Sequence, residues 1–556
     1  MRDQTVNPIL VEIIRNAFNS AAEEMNAAMF RSAYSPIIYE MKDCSVGIFD
    51  KEARLLGQAA GLPIFLGNLE TCIRLVTEQI GYDGYRDGDV FIMNDSYLQG
   101  THLTDITVFS PIFYDDELIG FAATRADGGH IGGKNLGLST DCSNIFQEGV
   151  RIPPIRLAQN WKINEDILDL LSLNSFLHQA RRGDISSQVS ACHKGNQRLQ
   201  ELYAKFGKET IEKAAEEIFR QSEELDKAAV SEIPDGTYKA EGIIDNDGLG
   251  TENIPIKVKV IIEGDQMTVD LSESSGPTQG SLNCGIAQAI SGCRVAFKEL
   301  INPEVDVTGG NFKNLHVVVP ESSIFNAKEP SPCSWYFTPI GIMIDLIIKA
   351  LSSVVPDRAA GAHFGDSMVV SFAGVDPRTG KAYGLTDVTV GGWGGFRAGD
   401  GESCVYNAVN GDFKNMPVEA LENRYPIRVL SYQMRPDSEG AGKRRGGFGG
   451  IRELQALADS SFACWLDRSK MPAWGIEGGQ SAKPPIVTLN PGKADEKKFN
   501  KITDLHIKKG DVIRIETGGG GGYGDPKDRD SEAVREDVEN GLLSRERAKA
   551  VYGKEI

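Results

Sequence analysis

Apolar residues at Leu10, Ile14, Phe18, Ala21, Met25 and Met29 recur three or four apart, the stripe of one long helix. Asn7 is placed to cap it, Pro8 to open it, and Tyr34-Ser35-Pro36 to end it. Residues 43–60 predict a hairpin that turns at Asp50-Lys51-Glu52-Ala53, and residues 64–80 a second helix. Residues 106–113 alternate in β fashion, 114–117 (YDDE) make a turn, and 118–125 return; the stretch ADGGHIGGKNLG then reads as loop. Between 164 and 231 the helical period is sustained in sequence rich in Glu, Lys, Gln and Ala. From 236 the pattern turns to β, with a hairpin over 256–272 around Glu263-Gly264-Asp265. Residues 297–305 and 345–356 predict further helices. The last third mixes short strands with glycine runs at 391–401, 440–453 and 516–526, and 528–552 predicts one charged helix on the surface.

These elements predict a mixed α/β (α+β) chain of several domains, with antiparallel hairpins, a long helical section and a Gly-rich β C-terminal third. The expected divisions are an N-terminal α+β region (1–163), a helical section (164–235), a mixed α/β domain (236–390), a Gly-rich β domain (391–527) and a helical tail (528–556).

Charge narrows the partners. A formal net charge of −19 speaks against nucleic acid and anionic membrane, both of which reward a basic face. No stretch approaches the ~20 apolar residues of a membrane helix, and the N-terminus lacks a signal-peptide layout. The nine cysteines include no CxxC pair and read as reduced, packed thiols in a cytoplasmic protein. Any metal must therefore be held by His and Asp.

One constellation has that composition. If the turn of the 106–125 hairpin is centred between Asp115 and Asp116, opposed residues sum to about 231 in number. His102 then faces about position 129 and Asp105 about 126, so His102 and Asp105 meet Asp127 and His130 at one end of the hairpin. Two neutral imidazoles with carboxylates suit Zn, Mn or Fe(II) with positions left open, and Asp43, at the mouth of the neighbouring hairpin, can add a fourth ligand. His178, His193, His316 and His506 read as packing or surface residues, and His363 is left open between packing and site. No phosphate loop, dinucleotide fingerprint, GxSxG, SxxK or HExxH occurs. The run GGGGGYGDP reads as a flexible or closely packed turn.

The segments YEMKDCSVGIFD, NDSYLQGTHLTD, the loop ending in HIGG, QEGVRIPPIRL, GGWGG and GGGGGYGDP, in that order, resemble the hydantoinase B/oxoprolinase family. The resemblance implies a β subunit of N-methylhydantoinase or caprolactamase type. Such a subunit works in the cytoplasm with a hydantoinase A-type α subunit that binds ATP and Mg, as an α2β2 complex. It implies one divalent metal, zinc or else manganese or iron, on Asp43, His102, Asp105 and His130. The order Asp127-Gly128-Gly129-His130 is similar to that of caprolactamase-like members. The activity implied is ring opening of a lactam, hydantoin or oxoproline-type amide phosphorylated by the partner. Asp127 is then placed to orient or deprotonate water, and Asp95 and Glu148 to fix the ligand histidines. Two other readings stand beside it: a subunit of an acetone/acetophenone-type carboxylase, and a scaffold subunit without chemistry.

Overall fold

The structure, a computed structural model, describes residues 7–135 and 139–556. Residues 1–6 and 136–138, among them the end of the loop ADGGHIGGKNLG, lie outside the described residues. Helix α1 (Pro8–Ser32) starts as its caps dictate, with Asn7 Oδ1 accepting the Ile9 N–H at 3.0 Å and Pro8 in the first turn. Its stripe from Val11 to Met29 is buried, and Ser35 caps the single turn α2 (Pro36–Tyr39).

The first sheet is antiparallel throughout, in the order β2-β1-β5-β4-β3-β6-β7. Its strands are β1 (Cys44–Asp50), β2 (Leu55–Gln58), β3 (Val90–Met93), β4 (Asp105–Tyr114), β5 (Glu117–Asp127), β6 (Ile155–Gln159) and β7 (Lys162–Ile163). Helix α3 (Pro63–Ile80) and the turn α4 (Ser96–Gln99) are woven between them, and α5 (Glu165–Leu173), α6 (His178–Phe206) and α7 (Lys208–Ser231) follow. Alternation along the strands sends Ile48, Val108 and Ala122 to a core shared with α1 and α6, and Phe49, Phe109 and Phe121 to a core shared with α3. Both faces are covered, so β1 is buried along its whole length although the sheet is antiparallel.

Four strands, β8 (Gly236–Asn246), β9 (Glu252–Glu263), β10 (Gln266–Asp270) and β11 (Leu315–Val318), form a second sheet. It packs against α9 (Phe337–Leu351), which is buried on nearly every side, and α9 in turn packs on α8 (Ile286–Leu300). The helix expected over 297–305 stops at Leu300. Pro303 disfavours helical geometry in its predecessor, and Asn302 takes φ +52°.

The remaining strands are β12 (Val369–Asp376), β13 (Lys381–Val388), β14 (Ile427–Met434), β15 (Gly450–Ala456), β16 (Ser460–Trp465), β17 (Ile486–Leu489), β18 (Lys497–Phe499), β19 (Lys501–Ile507) and β20 (Val512–Glu516). They make sheets of order β13-β12-β16-β19 and β14-β15-β20-β17-β18, with the short helix α10 (Val418–Arg424) leading into β14.

The glycine runs are not turns. Residues 518–522 run between four other segments. Gly520, Gly521 and Gly522 donate to the carbonyls of Gly447, Ala362 and Gln480, while carbonyls of the same run accept from Gly392, Gly395, Gly440 and Ile476. A Cβ on Gly520 would overlap the Trp393 carbonyl, and one on Gly521 the Trp474 carbonyl. Hydrogen bonds leave the run in several directions, so the result is a bundle of extended chains rather than a ribbon of sheet.

The tail is two helices, not one. Gly541 (φ +71°) separates α11 (Ser531–Glu539) from α12 (Arg545–Tyr552). The tail does not merely lie on the surface. Arg529 bridges Asp400 and Asp537 at 2.7–2.9 Å, and Arg547 reaches the buried Glu439 at 2.7 Å. No helix among the described residues is long and apolar enough to cross a membrane.

Candidate metal and catalytic site

Strand register builds the site. From Tyr114↔Glu117 to Phe113↔Leu118 opposed residues sum to 231; a bulge at Ile119 then raises the sum to 232, and Asp105 faces Asp127 rather than Ala126. On the other side of β5, Cys44 faces Ala126, and the Asp127 N–H donates to the Asp43 carbonyl at 3.1 Å. Asp43, Asp127 and Asp105 thus form one row across three adjacent strands. Lys42, beside Asp43, holds φ +62°, a strained value for a side-chain-bearing residue.

His102 sits at the open end of the row. Its Nδ1 lies 3.2 Å from Asp105 Oδ2 and 2.7 Å from Thr104 Oγ1, and its ring meets the Tyr336 ring edge-on at 5.2 Å between centroids. Donor atoms of His102, Asp105 and Asp127 all lie within 4.8 Å of one another. Burial pushes both Asp43 and Asp105 well above the usual carboxylate range, and the Asp127 charge pushes them further; Arg125 opposes this at Asp105. Burial also lowers His102 and His130, which keeps both imidazoles neutral and able to act as ligands. Among the described residues, Asp43 Oδ1 and Asp105 Oδ1 are buried with no hydrogen-bond partner. Two orphaned carboxylate oxygens, a third carboxylate and a neutral imidazole facing one another fit a hard or borderline divalent cation.

The other expected residues fall into three situations. His130 lines the same cavity of about 150 Å³, yet its ring is held within its own loop: Nδ1 accepts from the Gly132 N–H at 3.2 Å and Nε2 lies 3.3 Å from the Gly133 carbonyl. Glu148 also lines the cavity, and its carboxylate accepts the Cys333 and Ser334 N–H groups at 2.8 and 3.0 Å. Glu148 therefore ties the first sheet to the segment leading into α9. Asp95 lies elsewhere: it caps α4 through the Tyr97 N–H at 3.0 Å and pairs with Arg151 at 3.3 Å. His363, left open above, is buried with Nδ1 2.7 Å from Asp345. His193 packs on Trp161, and the His178 ring Nδ1 lies 3.0 Å from the Ser172 carbonyl.

Three site residues carry no signal in the spacing. Tyr336 closes the cavity over His102, and its hydroxyl lies 3.5 Å from Asp105 Oδ2. Arg125, fully buried behind the row, bonds only neutral groups, among them Thr107 Oγ1 at 2.9 Å and Cys72 Sγ at 3.1 Å. Its charge is set against the aspartates by position alone. Arg181 on α6 donates from Nη2 to the Gly129 and His130 carbonyls, both at 2.9 Å, and clamps the loop. A Cβ at Gly128 would overlap that guanidinium, so a larger residue there would push the clamp aside. Arg181→Met is expected to keep the fold but release the loop, lowering turnover by about 10²-fold, the usual cost of a misplaced group. Steady-state rates beside a melting curve would check this.

Comparison with known proteins places the fold in a family. Residues 7–526 match the Hydantoinase B/oxoprolinase family model. The chain is 29% identical to caprolactamase subunit beta of Pseudomonas jessenii over 99% of its own length and 96% of that protein. The crystal structure of ATP-dependent caprolactamase from that organism superposes with a TM-score of 0.90, at 28% identity, over 100% of this chain and 97% of the other. A 5-oxoprolinase of Pestalotiopsis fici is 27% identical over 97% of this chain, which spans 43% of that longer protein. A nucleotide-free acetone carboxylase shares the fold at a TM-score of 0.90 and 19% identity, covering 98% of this chain and 79% of that one. This chain belongs to the hydantoinase B/oxoprolinase family.

Proposed function

We propose that this chain is the metal-dependent, hydrolytic β subunit of an ATP-dependent cyclic amidohydrolase that opens a lactam, hydantoin or oxoproline-type ring. The observation that carries the reading is the row Asp43–Asp127–Asp105 capped by His102, with two orphaned carboxylate oxygens in one cavity. A hydantoinase A-type α subunit would bind ATP and Mg and transfer the γ-phosphoryl group to the amide oxygen, in a cytoplasmic α2β2 complex. Water then adds to the activated carbon, the ring C–N bond breaks with release of the amine, and a second water displaces phosphate from the acyl phosphate. The sum is ring amide, ATP and two waters giving an open-chain amino acid (from a hydantoin, its carbamoyl derivative), ADP and phosphate.

Asp43, His102 and Asp105 would hold the ion, zinc first and manganese or iron next, with His130 joining if its loop releases the ring. When bound, a divalent cation supplies Lewis acidity that brings hydroxide within reach at neutral pH. Asp127 accepts the Gly129 N–H at 2.6 Å through Oδ1, which leaves Oδ2 to orient a water or take its proton. Tyr336 and Phe337 wall the cavity and limit bulk water. Glu148 fixes the wall rather than the imidazoles.

The test pairs elemental analysis with turnover. Lactams, hydantoins and oxoproline would be screened with the partner subunit and ATP, scoring ADP and ring-opened product. Asp127→Asn is expected to retain about one ion per chain and to lose 10²–10⁴-fold in rate, the usual range for a general base. Unchanged turnover removes Asp127 from the mechanism, and loss of the ion makes it a ligand. The shared fold with acetone carboxylase keeps one alternative in the screen: ADP release that depends on bicarbonate marks a carboxylase. Absence of metal and of ATP-dependent turnover together would leave a scaffold.

A further inference from the structure

A second cavity, of about 690 Å³, lies where α1, α3 and α8 meet the loop 303–308 and the segment 408–412. It stands back to back with the carboxylate pocket. Leu62 and Phe65 face the first cavity while Pro63 and Leu66 face the second, and Val409 and Ala408 divide in the same way. The dividing wall is therefore only one chain segment thick at two places.

The charges on its walls do not cancel. Among the described residues Lys298 Nζ is buried with no hydrogen-bond partner; burial pulls it below the usual lysine range, and the charges of Asp226 and Asp306 oppose that. Arg294 is already engaged, by the Gly67 carbonyl at 2.8 Å and by Glu70 at 3.4 Å. The other ionisable wall groups are carboxyls, and of these Asp306 accepts from Asn19 at 3.1 Å while Glu299 makes no hydrogen bond among the described residues. Burial and the nearby Asp345 push Glu299 up to about 8, so it too responds to an incoming cation. Val295, Val307 and Trp393 supply apolar wall between these groups. An ammonium without a hydrogen bond, on a wall that also carries carboxylates, suits a ligand that brings both charges, separated by an aliphatic chain. The flexible stem of Lys298 lets its ammonium turn toward such a ligand.

We infer that this cavity binds a linear amino acid, its carboxylate on Lys298 and its ammonium among the wall carboxylates. The identification with the open-chain product class rests on the ring-opening reading; the existence of the site does not. Held there, product would sit one wall away from where it forms.

Calorimetry on the full chain decides it, with 6-aminohexanoate and glutamate as probes and hexanoate and hexylamine as single-charge controls. One site per chain is expected, with one zwitterion at least about tenfold tighter than either control, as charged hydrogen bonds require. Lys298→Met should weaken it by at least about tenfold, Lys298→Arg should restore it, and His102→Ala should leave it unchanged. No saturable heat at millimolar zwitterion overturns the proposal. So does binding that survives Lys298→Met but is lost in His102→Ala; that result puts the amino acid in the carboxylate pocket and leaves the ring-opening reading intact. Conversely, Lys298-dependent binding in a chain that hydrolyses no ring amide upholds the site and removes only its link to product.

Discussion

Asp105→Asn is expected to abolish turnover, by about 10³-fold or more, and at the same time to raise the melting temperature of the metal-free chain. Both effects come from one arrangement. Asp105 is fully buried in a row with Asp127 and Asp43, and like charges directly opposite one another in a sheet are destabilising. With the ion, that row is the binding site; without it, the row is a cost. Ligand binding at 100 times Kd stabilises by about 2.7 kcal/mol. Wild type should therefore gain markedly in Tm when metal is added, whereas Asp105→Asn should start higher and gain nothing. The pH dependence has a definite sign. Asp43 and Asp105 are raised in the folded state, so the fold retains protons that the unfolded chain, near 3.9, has released. Stability of the metal-free wild type must fall as pH climbs from about 4 through those raised values. Melting curves in chelator at pH 5 and pH 8 would read this directly. A variant as steep as wild type, or one that still binds an ion with unchanged affinity, would remove Asp105 from the site.

The second large effect concerns stability alone. Gly520→Ala is expected to cost more than about 4 kcal/mol, a size reserved for substitutions with no room to relax. The new methyl would overlap the carbonyl of Trp393, and that is backbone, which cannot rotate away. Gly264→Ala makes a fair control, because nothing lies within 4 Å of a Cβ there; its φ of +61° costs only about 1–2 kcal/mol. Soluble yield and denaturant midpoints would separate the two, and a Gly520→Ala protein as stable as the control would mean that the bundle gives way more easily than its hydrogen bonds imply.

Local features were legible in the sequence, and long-range ones were legible where a hairpin made them local. The α1 stripe and caps, the 43–60 and 256–272 hairpins and the juxtaposition of residues 102–105 with 127–130 follow from period and turn position alone. The register could be counted only to within one residue, because the bulge at Ile119 has no sequence mark. Tyr336 and Arg181 reach the site from distant elements, through packing that no spacing encodes. Arg125 does leave a mark, as the one charge in the interior of β5, LIGFAATRA. The tail differs from its sequence pattern for another reason. Its acidic and basic residues have the composition of a solvated face, but Arg529, Asp537 and Arg547 spend their charge on partners in the body of the protein. The glycine runs look identical whether they are loose or packed, since glycine has no side chain to report its surroundings.

That last feature has a thermodynamic signature. Residues 518–522 are held by peptide groups bonding to peptide groups and bring no apolar side chain of their own to water on unfolding. Apolar exposure raises heat capacity and polar exposure lowers it. The glycine runs should therefore contribute less than their share to the heat-capacity change of unfolding, and their stability should vary less steeply with temperature than that of the apolar core. In deuterium exchange the same segment should be among the slowest to take up label, although a glycine run is where fast exchange would ordinarily be looked for.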